Sequence, residues 1–421
     1  MARPSTRPRS SRNGVSDLRG AARLVIDATR GVTDVVESMH HNIARVPGLQ
    51  GPSSGDRTGG ITGLVYRSVR GVTRLVGGGV DALLALCEPL VASDAPASWR
   101  ENVIAVVNGV IGDHLEASGN PLAVAMSLRH DGHPLGPGRA AIAQAIPQPG
   151  SHVLVLVHGL CMNDLQWNWK GHDHGAVLSA ATGCTAVYAR YNSGRHISQN
   201  GRDFAEALRS LIADWPVTVE RITLLTHSMG GLVARSAIHY ATLAGHDWPR
   251  RVAQLFFLGT PHHGAPLERG GHMIDLALGI SSYSAALARL GKVRSAGITD
   301  LRHGSVLDDD WQGRDRYARG APHPTWLPLP EGLRCYAVAA ATSRQARAAD
   351  SRSRAGAAYA LGDGLVPVRS ALGLHKDPGR CLQIPPGRQW VAYGLGHMDL
   401  LGDARVCQQV QRWMQSDWPR D

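Results

Sequence analysis

Five strand-length, predominantly apolar runs constrain the fold of this chain more than anything else in it: residues 153–157, 185–188, 222–225, 252–258 and 335–339. A strand with one wet face alternates apolar and polar residues, whereas a run that is apolar throughout is covered on both sides. Stretches with helical spacing, residues 203–212 and 231–244, separate the runs. The alternation predicts an α/β architecture, a mostly parallel central sheet with helices on both faces. Upstream, a helix is expected over 101–116. Residues 122–128 and those after His133 flank Asp131-Gly132, a hairpin signal that opens the sheet.

At 421 residues the chain exceeds the roughly 250–300 that one core fills, so a large domain with additions is expected. The main domain is placed at 100–421. Residues 1–14 are rich in Arg and Ser, lack an apolar core for a secretory signal, and read as disordered. Residues 15–95 form an amphipathic helical extension with an internal duplication, since Arg30-Gly31-Val32-Thr33 recurs as Arg70-Gly71-Val72-Thr73. Its apolar stripes fit a layer packed on the main domain or pairing between chains. The accompanying Arg19, Arg23, Arg30, Arg67, Arg70 and Arg74 also suit peripheral contact with a membrane or lipid granule, although the stripes are made of Val, Ala and Gly rather than Trp, Phe and Leu. Residues 264–330 are too long for a simple connection. With a helix expected over 273–290 and four prolines in 314–330, they read as a helical lid or cap that selects the substrate.

Composition excludes several classes. The formal charge is +10, but no basic block is interleaved with aromatics and only 3 Phe and 9 Tyr are available for stacking, so no nucleic acid is expected. No apolar run approaches the ~18 residues of a membrane span. Six dispersed cysteines without a CxxC pair fit reduced thiols in a cytoplasmic protein, soluble or peripheral to a lipid surface.

The chemistry is concentrated in Leu224-Leu225-Thr226-His227-Ser228-Met229-Gly230-Gly231-Leu232, where an apolar run gives way to a serine and a glycine pair. This predicts a strand turning sharply into a helix with Ser228 pushed outward. A serine hydroxyl is a poor nucleophile until a base takes its proton, and the base works best when a carboxylate fixes its tautomer. His397 suits the base, in the loop Gly394-Leu395-Gly396-His397-Met398-Asp399 after the strand-like residues 389–393. Asp363 suits the orienting acid, in Gly362-Asp363-Gly364-Leu365-Val366-Pro367. Gly-Asp-Gly is also a favoured turn sequence, and Asp275 competes for the same role. Asp399 lies too near His397 in sequence to face it, and His375 precedes the last strand, the wrong place for the base. Oxyanion donors are expected from the backbone N–H groups of Met229 and of Leu160, the latter in His158-Gly159-Leu160, where Gly159 lets the chain turn close to the serine. Trp167, beside Trp169, is expected in an apolar pocket wall, with His262 and His263 beside the serine. His172-Asp173-His174 raises the question of a metal, but neighbours on one loop seldom converge on an ion, so neither a metal nor a cofactor is expected.

Together, His158-Gly159, the Ser228 segment, Gly259-Thr260-Pro261-His262-His263-Gly264, the Asp363 loop and His397 resemble the α/β-hydrolase superfamily. They are most similar to bacterial lipases and esterases whose nucleophile turn reads Ala- or Thr-His-Ser-Met-Gly-Gly. The Gly-Thr-Pro-His and Gly-Asp-Gly elements also resemble those of deacylases that remove the inositol acyl chain of GPI anchors. The one departure is Thr226, where the common pattern has glycine. The resemblance spans roughly 150–400 and implies a serine hydrolase acting on carboxylic esters of apolar acyl groups, a small molecule or a lipid. An acyltransferase or thioesterase would use the same triad. A lipid-surface or scaffold protein that keeps the fold without the reaction is the reading from a different class. Neither the acyl chain length nor the oligomeric state is expressed in these motifs.

Overall fold

The computed structural model describes residues 17, 19–24, 97–265, 295–314, 324–343 and 362–416. Its elements are α1 (Ala97–Ala117), β1 (Ser127–His130), β2 (His133–Pro134), α2 (Arg139–Ala145), β3 (His152–Val157), β4 (Asn168–Trp169), β5 (His172–Asp173), α3 (His174–Thr182), β6 (Thr185–Arg190), α4 (Ile197–Asp214), β7 (Arg221–His227), α5 (Met229–Leu243), β8 (Val252–Leu258), α6 (Ala296–His303), β9 (Arg334–Ala341), α7 (Val368–Ala371), β10 (Gln389–Tyr393) and α8 (Ala404–Ser416).

The apolar runs become the centre of an eight-stranded sheet in the order β10-β9-β8-β7-β3-β6-β1-β2. Every pairing from β10 to β6 is parallel, and only the β1–β2 edge runs antiparallel. The hairpin falls at Asp131 (φ 48°) and Gly132 (φ 72°), the left-handed pair that a two-residue turn of this hand requires. Strand β3 shows why the runs are apolar throughout. Val153, Val155 and Val157 pack into the core beneath α1, α4 and α5, whereas Leu154 and Leu156 pack into the core shared with α3 and α8. Both faces are dry, as a parallel sheet with crossover helices demands.

Two helices begin earlier than their apolar spacing suggests. α4 starts at Ile197 because its first turns are small or polar and still buried: Asn200 Nδ2 donates to Asn192 O at 2.9 Å, and a side chain on Gly201 would run into Ser236 of α5. α1 starts at Ala97 and breaks helical geometry at Ile111 (φ −135°, ψ 23°). Gly109 lies against Cys161, and Gly112 lies against Asn192, so the broken helix presses directly on the loops that follow β3 and β6.

Part of the N-terminal extension is seen. Residues 19–24 are helical, with Ala21 and Leu24 in the main core. Asn120 Nδ2 donates to Gly20 O at 3.1 Å, and Arg100 pairs with Asp17. This piece packs on the main domain. The duplicated stripes from 25 onward, the tail at 1–14, and the expected lid helix at 273–290 with Asp275 lie outside the described residues. No described helix is long and apolar enough to cross a membrane.

Candidate active site

In open α/β sheets, ligands bind beyond the carboxyl ends of strands where connections diverge. Here β3 is central, the chain goes out to β6 on one side and returns to β7 on the other, and Val157 pairs with Thr226. The loop after β3 and the turn after β7 therefore emerge side by side.

That turn is strained at the serine itself. Ser228 has φ 53° and ψ −124°, a conformation few L-residues adopt, and it begins α5 with its N–H donating to Leu258 O at 2.9 Å. The glycine pair makes the turn possible. A side chain on Gly230 would overlap the carbonyl oxygens of Val157 and His158, and one on Gly231 would overlap Thr260. Thr226 costs nothing here, because its hydroxyl donates to Phe256 O at 2.8 Å in a fully buried site.

His397 and Asp363 meet. His397 Nδ1 lies 2.7 Å from Asp363 Oδ2, with both side chains buried. The other oxygen, Oδ1, accepts from the N–H groups of Leu365 (3.0 Å) and Val366 (2.8 Å), and His397 N–H donates to Asp363 O at 3.2 Å. The carboxylate is thereby held in one orientation and retained as an acceptor. With Nδ1 facing a carboxylate, the neutral ring carries its proton there and its lone pair on Nε2. Nε2 is buried and has no hydrogen-bond partner among the described residues. His227, next to the serine, ties the two loops together, with its Nε2 at 3.1 Å from His397 O. Burial, then the neighbouring His397, holds the His227 ring well below the ordinary histidine range, so it serves as a neutral donor. Asp399 points elsewhere: it pairs with Lys170 Nζ at 2.8 Å and accepts from Gly396 N–H at 3.0 Å.

The loop after β3 is braced from three sides. The His158 ring stacks on Tyr191 at 4.3 Å, Tyr191 Oη donates to His158 O at 2.7 Å, and Cys161 N–H donates to Ser193 Oγ at 3.0 Å. Cys161 itself takes φ 60°. A Cβ on Gly159 would stand 3.0 Å from Ser228 Cβ, so this backbone passes directly beside the serine. Leu160 follows in the same turn, and Met229 is the first residue of α5, whose N–H has no intrahelical acceptor.

The residues expected to contact substrate are distributed differently. Trp167 is fully buried in the second core and packs edge-on against His227 at 6.5 Å, beneath the turn rather than on an open surface. His262 is buried edge-on against Phe257 at 4.5 Å, and His263 stacks on Trp326 at 5.6 Å. Both line a cavity together with Arg235, Trp326, His375 and Arg380. Of these last four, only His375 is weighed from the sequence, and only as a rejected base. Arg235 carried a signal, being a charge inside the small and apolar stretch 229–238. His172 Nε2 and His174 Nδ1 lie 2.9 Å apart, and Cys407 Sγ joins them within 4.8 Å. These are donors of the kind that hold zinc, but His174 Nε2 also bonds Leu400 O at 2.9 Å, so a chain of hydrogen bonds already accounts for both rings.

The mostly parallel sheet order and the strand-turn-helix at Ser228 are those of an α/β-hydrolase fold. Residues 194–327 match the family model described as a PGAP1-like alpha/beta domain. The match takes in the Ser228 turn and the 259–264 loop and ends before Asp363 and His397. Among solved structures the chain is similar to the mature lipase BlEst2 of Bacillus licheniformis, at 17% identity over 69% of this chain and 97% of that one, with a TM-score of 0.40. It is similar to lipase B of Aspergillus fumigatus at 12% identity over 97% and 86% of the two chains, TM-score 0.40. It is also similar to phospholipase PlaB of Legionella pneumophila at 17% identity over 63% and 60%, TM-score 0.39. No curated protein sequence matches the chain significantly.

Proposed function

We propose that the protein is a serine hydrolase that cleaves carboxylic esters of apolar acyl groups through a Ser228-His397-Asp363 triad. The observation that carries the reading is the pairing of His397 Nδ1 with a fully held Asp363, its Nε2 left buried and unpartnered, beside a serine on a strained turn. Ser228 Oγ attacks the ester carbonyl as His397 Nε2 takes its proton, and Asp363 stabilises the imidazolium. The oxyanion that forms accepts hydrogen bonds from the N–H groups of Leu160 and Met229. His397 returns its proton to the departing alcohol, leaving an acyl-enzyme. Water, deprotonated by the same nitrogen, then releases the acid and frees the serine.

An apolar acyl group is favoured because Leu160, Met229 and Leu258 are buried at the turn, with His227 and His158 held below the ordinary histidine range chiefly by burial. Contact of residues 15–95 with a lipid surface belongs to the same proposal. Hydrolysis of p-nitrophenyl esters of increasing chain length, with and without lipid aggregates, tests it. Turnover that rises with chain length and with aggregation marks a lipase, and turnover confined to short soluble esters marks an esterase. If the folded protein turns over none of them, ester hydrolysis is excluded.

A further inference from the structure

Arg235 sits in the middle of α5, 4% exposed, between the buried Ala234 and Ser236. A guanidinium in a protein interior is costly unless a counter-charge or a full set of acceptors offsets its desolvation. Arg235 has neither among the described residues. Its Nη2 donates to Leu327 O, its Nη1 lies 3.5 Å from His262 Nδ1, and its Nε is buried without a partner. Burial pushes its pKa down to about 10, which leaves the group charged at neutral pH.

Beside Arg235 is a cavity of about 50 Å³, and among the described residues no acidic side chain lines it. Arg380, on another wall, donates from Nη2 to Pro324 O at 3.0 Å and keeps a buried Nε without a partner among the described residues. His262 adds a third donor. Because Arg235 Nη1 faces its Nδ1, the neutral ring carries its proton on Nε2, which is buried with no acceptor among the described residues. Trp326 forms a flat wall, 5.8 Å from the Arg235 guanidinium and stacked on His263. One water needs roughly 10–15 Å³ by this kind of measure, so the space takes a few waters or one tetrahedral ion, and it is too small for an acyl chain.

We propose that this cavity is a binding site for a phosphate-class oxyanion, clamped between the guanidiniums of Arg235 and Arg380 with His262 Nε2–H as a neutral donor. Guanidinium pairs suit such ions because each presents parallel N–H groups to two oxygens. The ion would supply the counter-charge that Arg235 lacks. The ion is either free phosphate or the phosphomonoester headgroup of a lipid, and the site does not depend on the ester chemistry at Ser228.

The test uses the full chain carrying Ser228→Ala, so that hydrolysis plays no part, titrated with inorganic phosphate by calorimetry at ionic strength held constant with potassium chloride. One saturable site per chain is expected, with a rise in Tm that follows phosphate concentration. Arg380→Gln, at the partly buried wall, should weaken binding about tenfold or more, the loss of one charge-assisted contact. Arg235→Lys keeps the charge, loses the fork and should weaken it too; if that variant fails to fold, Arg380→Gln carries the comparison. Flotation with phosphatidylcholine vesicles, with and without phosphatidic acid, separates the sources. Phosphatidic-acid-dependent flotation that inorganic phosphate competes away assigns the site to a headgroup, and phosphate binding without flotation assigns it to the free ion. Absence of saturable binding, or binding unchanged in the folded Arg380→Gln variant, overturns the site.

Discussion

At the scale of single residues, the role proposed for Asp363 is separable from that proposed for His397, which it faces. Asn at 363 keeps the shape but can present an N–H to His397 Nδ1, which favours the wrong tautomer. Asp363→Asn should lower kcat on a p-nitrophenyl ester by about 10³–10⁴-fold with KM and the circular dichroism spectrum little changed. A loss under tenfold would give the orienting role to another group. Gly259 tests the other side of the ring. It has φ 61°, and a Cβ there would stand 2.8 Å from Leu400 Cδ1 and 3.2 Å from His397 Cε1 and Nδ1. Gly259→Ala should cost about 1–2 kcal/mol of stability from backbone strain and, by shifting the ring, lower kcat more than it raises KM. Urea unfolding and steady-state kinetics on one preparation measure both.

At the scale of elements, the site is an agreement between loops that different strands deliver. Gly230 is one of the tight points, because a Cβ there would overlap the carbonyl oxygens of Val157 and His158 at the end of β3. Gly230→Ala should destabilise by about 1–3 kcal/mol and move the oxyanion loop, so that kcat falls as well. Gly119→Ala is the matched control. Like Gly259, and unlike the helical Gly230, it has positive φ (58°), but open space surrounds it, so it should cost stability alone. The strands were legible because burial on both sheet faces writes itself as unbroken apolar runs. Ser228 was legible because it directly follows such a run and precedes a glycine pair, and Asp363 and His397 because each sits among glycines late in the chain. Other features leave no local pattern. The break in α1 at Ile111 answers to Cys161 and Asn192, which lie far along the chain. Trp167 read as a pocket wall because a tryptophan near glycines and histidines fits either place, and only the fold puts its ring under His227. Arg380 and Trp326 meet Arg235 from loops whose sequences say nothing of each other.

For the whole molecule, the number of neutral histidines enclosed in the fold sets its response to acid. Burial holds His152 at about 4, His158 at about 3 and His174 at about 4, below their ordinary value of 6.5. Between 6.5 and those values the unfolded chain binds protons that the folded chain refuses. Stability is therefore full above 6.5 and falls as the pH drops towards 4, each such group costing about 1.4 kcal/mol per pH unit in that window. Thermal unfolding should show a clear drop in Tm from pH 7.5 to pH 5, and an unchanged Tm would mean that these rings are not buried as described. The central claim concerns Ser228, and the most direct measurement of it is covalent. The protein is treated with a fluorophosphonate probe, digested and mapped by mass spectrometry, beside Ser228→Ala. A single adduct on Ser228, absent from the variant and slowed in His397→Gln, is the predicted result. A folded protein that takes no label, or takes it at another residue, would contradict it.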